Sequence, residues 1–292
     1  MRLAEIERHV ASMEELQRIV GAMRAIASMR MQEAVRALTS VREYGSALAE
    51  GLHDALAIAG EEAHVGGDMS RLMEATAVPA RWRTHRAIVL FASEHGFVGR
   101  FNQRLIDTVE ADLTPADALM IVGSRGAAFA AERGHVAAWS HPLATGLTGI
   151  PETVRLLEEA LLPRISRREV LRAEVVFGRY GRNGQLDIER RRLFPLELGP
   201  VRAERRGLAP LHDLPLPELL EKLTTEYMLA QLTEAATEAL AAENAARFAA
   251  MESARDNVGR KLETLRLDAS RARQEEITTE LLDLITGERA LS

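Results

Sequence analysis

The chain has 292 residues, 47% of them hydrophobic, with a formal net charge of -6 and a pI near 5.8. That length can bury a real core in one large or two modest domains, and the acidic balance argues against nucleic acid as the main partner, because phosphate binding needs a basic field that the chain as a whole lacks. The sequence holds no cysteine, which excludes disulfides, thiolate zinc sites and cysteine nucleophiles.

The opening, "MRLAEIERHVASMEELQ", lacks the continuous apolar core of a secretion signal, and no stretch approaches the ~18 apolar residues of a membrane span. These features lead to the expectation of a cytoplasmic chain, and no cofactor is expected. From residue 6 a heptad places Ile6, Met13, Val20, Ala27, Ala34, Val41, Leu48 and Ala55 in one seam position. The second position holds Val10, Gln17, Arg24, Met31, Leu38, Gly45, Leu52 and Ala59, with Gln17, Arg24 and Gly45 as its interruptions. The pattern predicts a long supercoiling helix over residues 1–60. Its stretch "IVGAMRAIASMRMQEA" is rich in Met and Ala and has no aromatic residue. Seam packing does not account for Met23 and Met29, which lie off the seam, whereas a surface touched by another protein does.

A central domain is expected over residues 80–212. The runs "HRAIVLFAS", "DALMIVGS", "HVAAWSH", "AEVVFGRYG" and "QLDIERRRLFPLEL" read as strands. Helical segments at 101–112, 125–133 and 151–167 separate the earlier ones, and this alternation predicts a small Rossmann-like α/β sheet. From Pro217 helical pattern resumes to residue 287, with Met251, Val258, Leu262, Leu265, Ala269 and Ala272 as its apolar row and Gly259 as a weak interior point. The expected fold class is therefore α/β: a long antiparallel coiled coil of the terminal helices, 1–60 and 217–287, joined to a central α/β domain. The domain is too small to cover both seams, so the helices must cover each other.

Chemical motifs are sparse. "IVGSRGAAFAAERG" has a glycine turn between strand and helix, but neither GxxxxGK nor GxGxxG is complete; a tight structural turn is the plainer reading. "FASEHGFVGRFN" sets Ser93, Glu94 and His95 at a strand end, where open α/β sheets place active sites. GxSxG and HExxH are both absent, and a turn in which Ser and Glu cap the following helix is favoured over an α/β enzyme that uses the terminal helices for oligomerisation. His64, His135 and His141 have no metal-ligand spacing. Arginines cluster at Arg167 and Arg168, at 190–192, and at Arg202, Arg205 and Arg206. A solvated face is the ordinary meaning, and contact with acidic loops or lipid headgroups is the functional alternative.

Three longer blocks carry a family resemblance. "VASMEELQRIVGAMRAIASMRM" resembles the first helix of the gamma subunit of F-type ATP synthases, through Ser12, Gln17, Ile19, Ala22, Met23, Ile26, Ala27 and Met31. "ENAARFAAMESARDNVG" and "ARQEEITTELLDLITG" are similar to two blocks of that family's last helix. "SEHGFVGRFN", "IVGSRG" and "LFPLEL" are similar to motifs of its middle domain, so the resemblance covers essentially the whole chain. It implies a non-catalytic central-stalk rotor whose terminal helices form a shaft inside a ring of three alpha and three beta subunits. The middle domain is then expected to sit on the membrane c-type ring with the epsilon subunit. It further implies that Met23, Arg247, Arg273, Gln274 and Thr278 engage the beta subunits and that Arg192 and Phe194 contact the membrane-ring side. Val98, Arg100 and Phe101 depart from the family's Cys, Gly and Leu, and Glu14, Gly21 and Arg24 replace common residues of its first helix. Such departures point to a divergent branch, such as the alternate N-type ATPases that some bacteria carry.

Overall fold

The computed structural model of the chain describes residues 3–66, 86–181, 185–196 and 212–290. In chain order the elements are α1 (Leu3–Gly66), β1 (Arg86–Phe91), α2 (Phe101–Glu110), β2 (Ala118–Val122), α3 (Ser124–Glu132), β3 (Trp139–His141), α4 (Ile150–Ser166), β4 (Arg172–Tyr180), β5 (Leu186–Phe194) and α5 (Leu216–Ala290). The five expected strands are all present. The first helix, expected to stop at residue 60, runs on to Gly66. Two compact units divide the chain, residues 29–246 and residues 1–28 with 247–292; α1 and α5 each contribute to both.

In the larger unit the strands form one sheet in the order β3-β2-β1-β4-β5. β1 runs parallel to both β2 and β4, β2 is parallel to β3, and β5 returns antiparallel along β4. Central parallel strands are covered on both faces, so they read as unbroken apolar runs rather than as alternations. Arg86 apart, β1 follows that rule: Ala87, Val89 and Phe91 enter one core and Ile88 and Leu90 the other. The first core is filled from α4 by Val154, Leu157 and Leu161 and from α5 by Met228 and Leu232. The second is filled from α2 by Phe101, Leu105, Ile106 and Val109 and from α3 by Ala130. Each large side chain buried this way contributes roughly 1.5–3 kcal/mol relative to exposure.

α1 reaches the first core through Ala34. In this unit Arg42 pairs with Glu234 and Glu238, Tyr44 Oη donates to Glu226 at 2.5 Å, and Gly51 approaches Leu223. As the α1 number rises, the α5 number falls, so the two helices run antiparallel.

The smaller unit shows the same sense of pairing. Glu7 meets Arg273 at 2.8 Å, Glu14 meets Arg266 at 2.7 Å, and Arg24 meets Glu252 at 2.7 Å. Ile6, Val20 and Ala27 are buried on α1, and Met251, Val258, Leu262 and Leu265 on α5, which are the apolar rows that the heptad pattern picks out. Gln17, placed by that pattern in the second seam row, is exposed. A polar amide there remains in water rather than paying for burial.

Candidate partner-contact surface

An apolar surface remains open on the smaller unit. Leu16, Ile19 and Ile26 of α1 and Leu267, Ile277, Leu281 and Leu282 of α5 are all exposed. Met29, just inside the larger unit, is exposed as well, and Met23 is half-buried. Rows of large exposed apolar side chains are characteristic of surfaces that a partner covers.

The five residues expected to face beta subunits fall into two groups. Met23 and Arg247 lie near Arg24, whose guanidinium reaches Glu252 and sits 5.8 Å from the Phe248 ring centroid. Arg247 is only 7% exposed, so it is already covered by its own chain. Arg273, Gln274 and Thr278 lie further along α5, about 40 Å away at ~1.5 Å per residue. All three are exposed; Arg273 pairs with Glu7, and the Gln274 carbonyl accepts the Thr278 hydroxyl at 2.7 Å. These residues make two patches rather than one site.

Arg192 and Phe194 lie on β5. Arg192 is exposed at the surface, while Phe194 packs against the first core. Their neighbours are not a free basic face. Arg190 bonds Glu174 and Asp112, and Arg191 bonds Glu234, Glu189 and Gln231 while lying 5.4 Å from the Phe177 ring centroid. Arg86 joins the same network through Asp112 and Asp117. The Arg190 hydrogen bond, opposed by burial and supported by Arg86, holds the Asp112 carboxyl at about 2. The reading of 190–192 as one solvated or headgroup-binding cluster therefore fails for Arg190 and Arg191, which are spent inside the fold. Arg167 and Arg168 are exposed, and Arg202, Arg205 and Arg206 lie outside the described residues.

The strand-end group Ser93, Glu94 and His95 does not converge on a reacting centre. Ser93 is fully buried; its N–H donates to Asn102 Oδ1 at 3.0 Å, and its hydroxyl accepts Asn102 Nδ2 at 2.8 Å. The Glu94 carboxylate accepts the N–H groups of Ser124 and Leu143, each at 2.8 Å. It therefore caps α3, not the immediately following α2 as the turn reading expects, and it ties β1 to the segment after β3. A carboxylate at a helix N-terminus satisfies an orphan donor and complements the helix dipole. The N–H groups of Glu94 and His95 donate to the Glu243 carboxylate of α5 at 3.2 and 3.3 Å.

The glycine turn after β2 is likewise structural. Gly123 has φ of 120°, and a Cβ there would lie 2.4 Å from the Ala92 carbonyl oxygen; only glycine permits that approach. Among the described residues no group of three or more His, Asp or Glu side chains is arranged to hold a metal ion, and no helix is long and apolar enough to cross a membrane.

What sequence reasoning missed is how α5 is held. Every residue over 235–245 is buried, about three turns with no exposed face. Thr237 and Asn244 donate to the carbonyls of Thr233 and Leu240, whereas Glu234 and Glu243 are met on both oxygens from outside the helix and Glu238 on Oε1 alone, its Oε2 buried without a hydrogen-bond partner. Burial opposes ionisation of Glu234, but the hydrogen bond and charge of Arg191, aided by Arg42, outweigh it and leave the carboxyl below its ordinary value. Deeper burial raises Glu238 despite Arg42 and Arg179. The one available signal was a helix so rich in alanine that it offered no polar face, with carboxylates set within it.

Compared with known proteins, residues 2–291 match the family model described as ATP synthase. The ATP synthase gamma chain of Chloroherpeton thalassium is 26% identical over 308 residues, covering 99% of this chain and 98% of that one. The ATP synthase gamma chain of Anaeromyxobacter dehalogenans strain 2CP-C is 27% identical over 300 residues, with 99% of each chain covered. Among solved structures, a chain of the Euglena gracilis mitochondrial ATP synthase superposes with a TM-score of 0.62 at 16% identity, covering 99% of this chain and 94% of that one. A chain from the central stalk and c-ring structure of the Tetrahymena thermophila enzyme gives 0.57 at 16% identity, over 81% and 99%. At those identities the structural likeness establishes the fold.

Proposed function

The chain belongs to the gamma-chain family of ATP synthases, and from that premise we propose that it is the central-stalk rotor of a rotary ATPase, coupling ion-driven rotation of a membrane ring to ATP synthesis or hydrolysis. It is non-catalytic; the chemistry takes place in beta subunits. Its partners are the alpha and beta subunits, the epsilon subunit and the membrane c-type ring, through which it is peripheral to the membrane on the cytoplasmic face. Residues 1–60 and 217–287 serve as the shaft and 80–212 as the base domain. Met23, Arg247, Arg273, Gln274 and Thr278 face the beta subunits, and Arg192 and Phe194 the ring side.

The observation that carries this reading is the antiparallel helix pair with its row of exposed Ile and Leu side chains, a surface suited to enclosure by a ring of partners. An asymmetric shaft presents different contacts to each surrounding subunit in turn, and so biases each subunit's conformational equilibrium differently. The alternative, an enzyme using Ser93, Glu94 and His95, is not supported, because those residues are engaged in holding turns and helices together. The test is recovery of the chain from its native membranes in mild detergent. Co-purification with three alpha and three beta subunits per chain is expected; recovery alone or as a homodimer would overturn the proposal.

A further inference from the structure

The stretch of α5 over 235–245 is enclosed by the two cores of the larger unit. Ala235, Ala236, Ala239, Leu240 and Ala241 enter the first, and Ala242 enters the second. Alanine lets strands and helices approach closely, but its methyl group is a poor key. Hydrophobic contact is non-directional, and a nearly cylindrical alanine surface has little to resist turning about its own axis. A rotor needs such resistance where its helix leaves the base domain.

The polar contacts supply direction. Glu234 and Glu238 are held on one side by Arg42 of α1, with Arg191 of β5 on Glu234 and Arg179 of β4 3.8 Å from Glu238. Glu243 is about half a revolution away from Glu234 at ~100° per residue, and there its two oxygens accept the Glu94 and His95 N–H groups of the loop after β1. Charge-assisted hydrogen bonds are directional and roughly twice as strong as neutral ones. Contacts on opposite sides of one helix form a couple, so turning α5 either way must stretch both.

We propose that Glu234, Glu238 and Glu243 are the keys that fix the angle of the alanine-rich stretch of α5 within the core of the larger unit and carry torque between the α/β domain and the helix. This rests on the rotor reading. These are positioning residues: they touch no nucleotide and act by holding the helix.

The test uses the assembled complex in sealed vesicles, comparing ATP hydrolysis with the membrane potential it generates, read with a potential-sensitive dye that responds whichever cation is moved. Glu243→Gln keeps the volume but loses the charge that holds two N–H donors. Arg42→Met keeps the aliphatic stem and removes the counter-charge shared by Glu234 and Glu238. Hydrogen exchange at the Glu94 and His95 amides verifies that the Glu243 latch has opened; loss of one such bond corresponds to at least about tenfold faster exchange. Expected for both variants is hydrolysis at the wild-type rate per assembled complex, with a lower plateau potential. If Glu243→Gln fails to assemble, Arg42→Met alone decides. A plateau unchanged in the assembled variants, with the latch amides opened in Glu243→Gln, would overturn the proposal, as would hydrolysis and potential falling only in proportion to assembled complex, which is what lost stability alone predicts. A wild-type chain that neither assembles with alpha and beta subunits nor supports any potential would instead sink the rotor reading itself.

Discussion

Gly178 lies on β4, buried where Phe101 of α2 and Ala242 of α5 meet the strand. A Cβ at this position would lie 2.5 Å from Phe101 Cε2, 3.0 Å from Phe101 Cζ and 2.9 Å from Ala242 Cβ. Phe101 is itself 2% exposed and fixed in the second core, so its ring has no open space to enter, and Ala242 is held by a helix buried on all sides. Gly178→Ala therefore overpacks the junction, at a cost of about 1–3 kcal/mol. For a unit of this size that lowers Tm by roughly 2–12 °C. Gly259→Ala is the matched control: the position is inside α5 with nothing within 4 Å of a new Cβ, so the same methyl group should stabilise by about 0.8–1 kcal/mol through helix propensity. Differential scanning calorimetry of the isolated chain reads both, and amide exchange along β4 and α5 shows which unit has loosened. A Gly178→Ala protein melting with or above wild type would refute the close-approach argument.

Ser93→Ala removes the acceptor of Asn102 Nδ2 and leaves a buried donor unsatisfied, a loss of about 1–3 kcal/mol that denaturant titration should detect. His95→Ala keeps the backbone N–H that bonds Glu243, so hydrolysis by the assembled complex should be unchanged in a steady-state assay; a large fall would favour the enzyme alternative. Asp112 has a depressed folded-state value, so its pairing with Arg190 and Arg86 stabilises the fold above the ordinary Asp value of about 3.9. That contribution should fade as pH falls toward 2. The stability gap between wild type and Asp112→Asn, followed by urea titration from pH 6 downward, should narrow over that window; a gap that widens there would contradict the pairing. Glu252→Gln breaks a part-exposed pair with Arg24 and should cost no more than about 1 kcal/mol, read by the same titration.

The elements that were legible in the sequence are those whose signal is local. Ile6, Val20, Ala27 and Ala34 repeat at heptad spacing, and each is buried; the apolar runs of β1, β2 and β4 fall where a doubly covered sheet requires them. What could not be read was pairing across long separations. Arg42 and Glu238 look like ordinary charged residues of two helices, and nothing near either one announces the other. Arg190 and Arg191 look like a basic patch until Asp112, Glu174 and Glu234 are brought against them. Ser93, Glu94 and His95 mislead for a related reason, since a polar cluster at a strand end has the same composition whether it binds a substrate or braces a turn. The difference lies in the donors that reach it from Ser124 and Leu143 and in the carboxylate that comes from α5. Alanine density in α5 announces close packing but leaves its angle undetermined, because methyl contacts are nearly isotropic. Fixing that angle takes directional bonds, and their partners come from α1, β4, β5 and the loop after β1, elements that are neighbours only once the chain has folded.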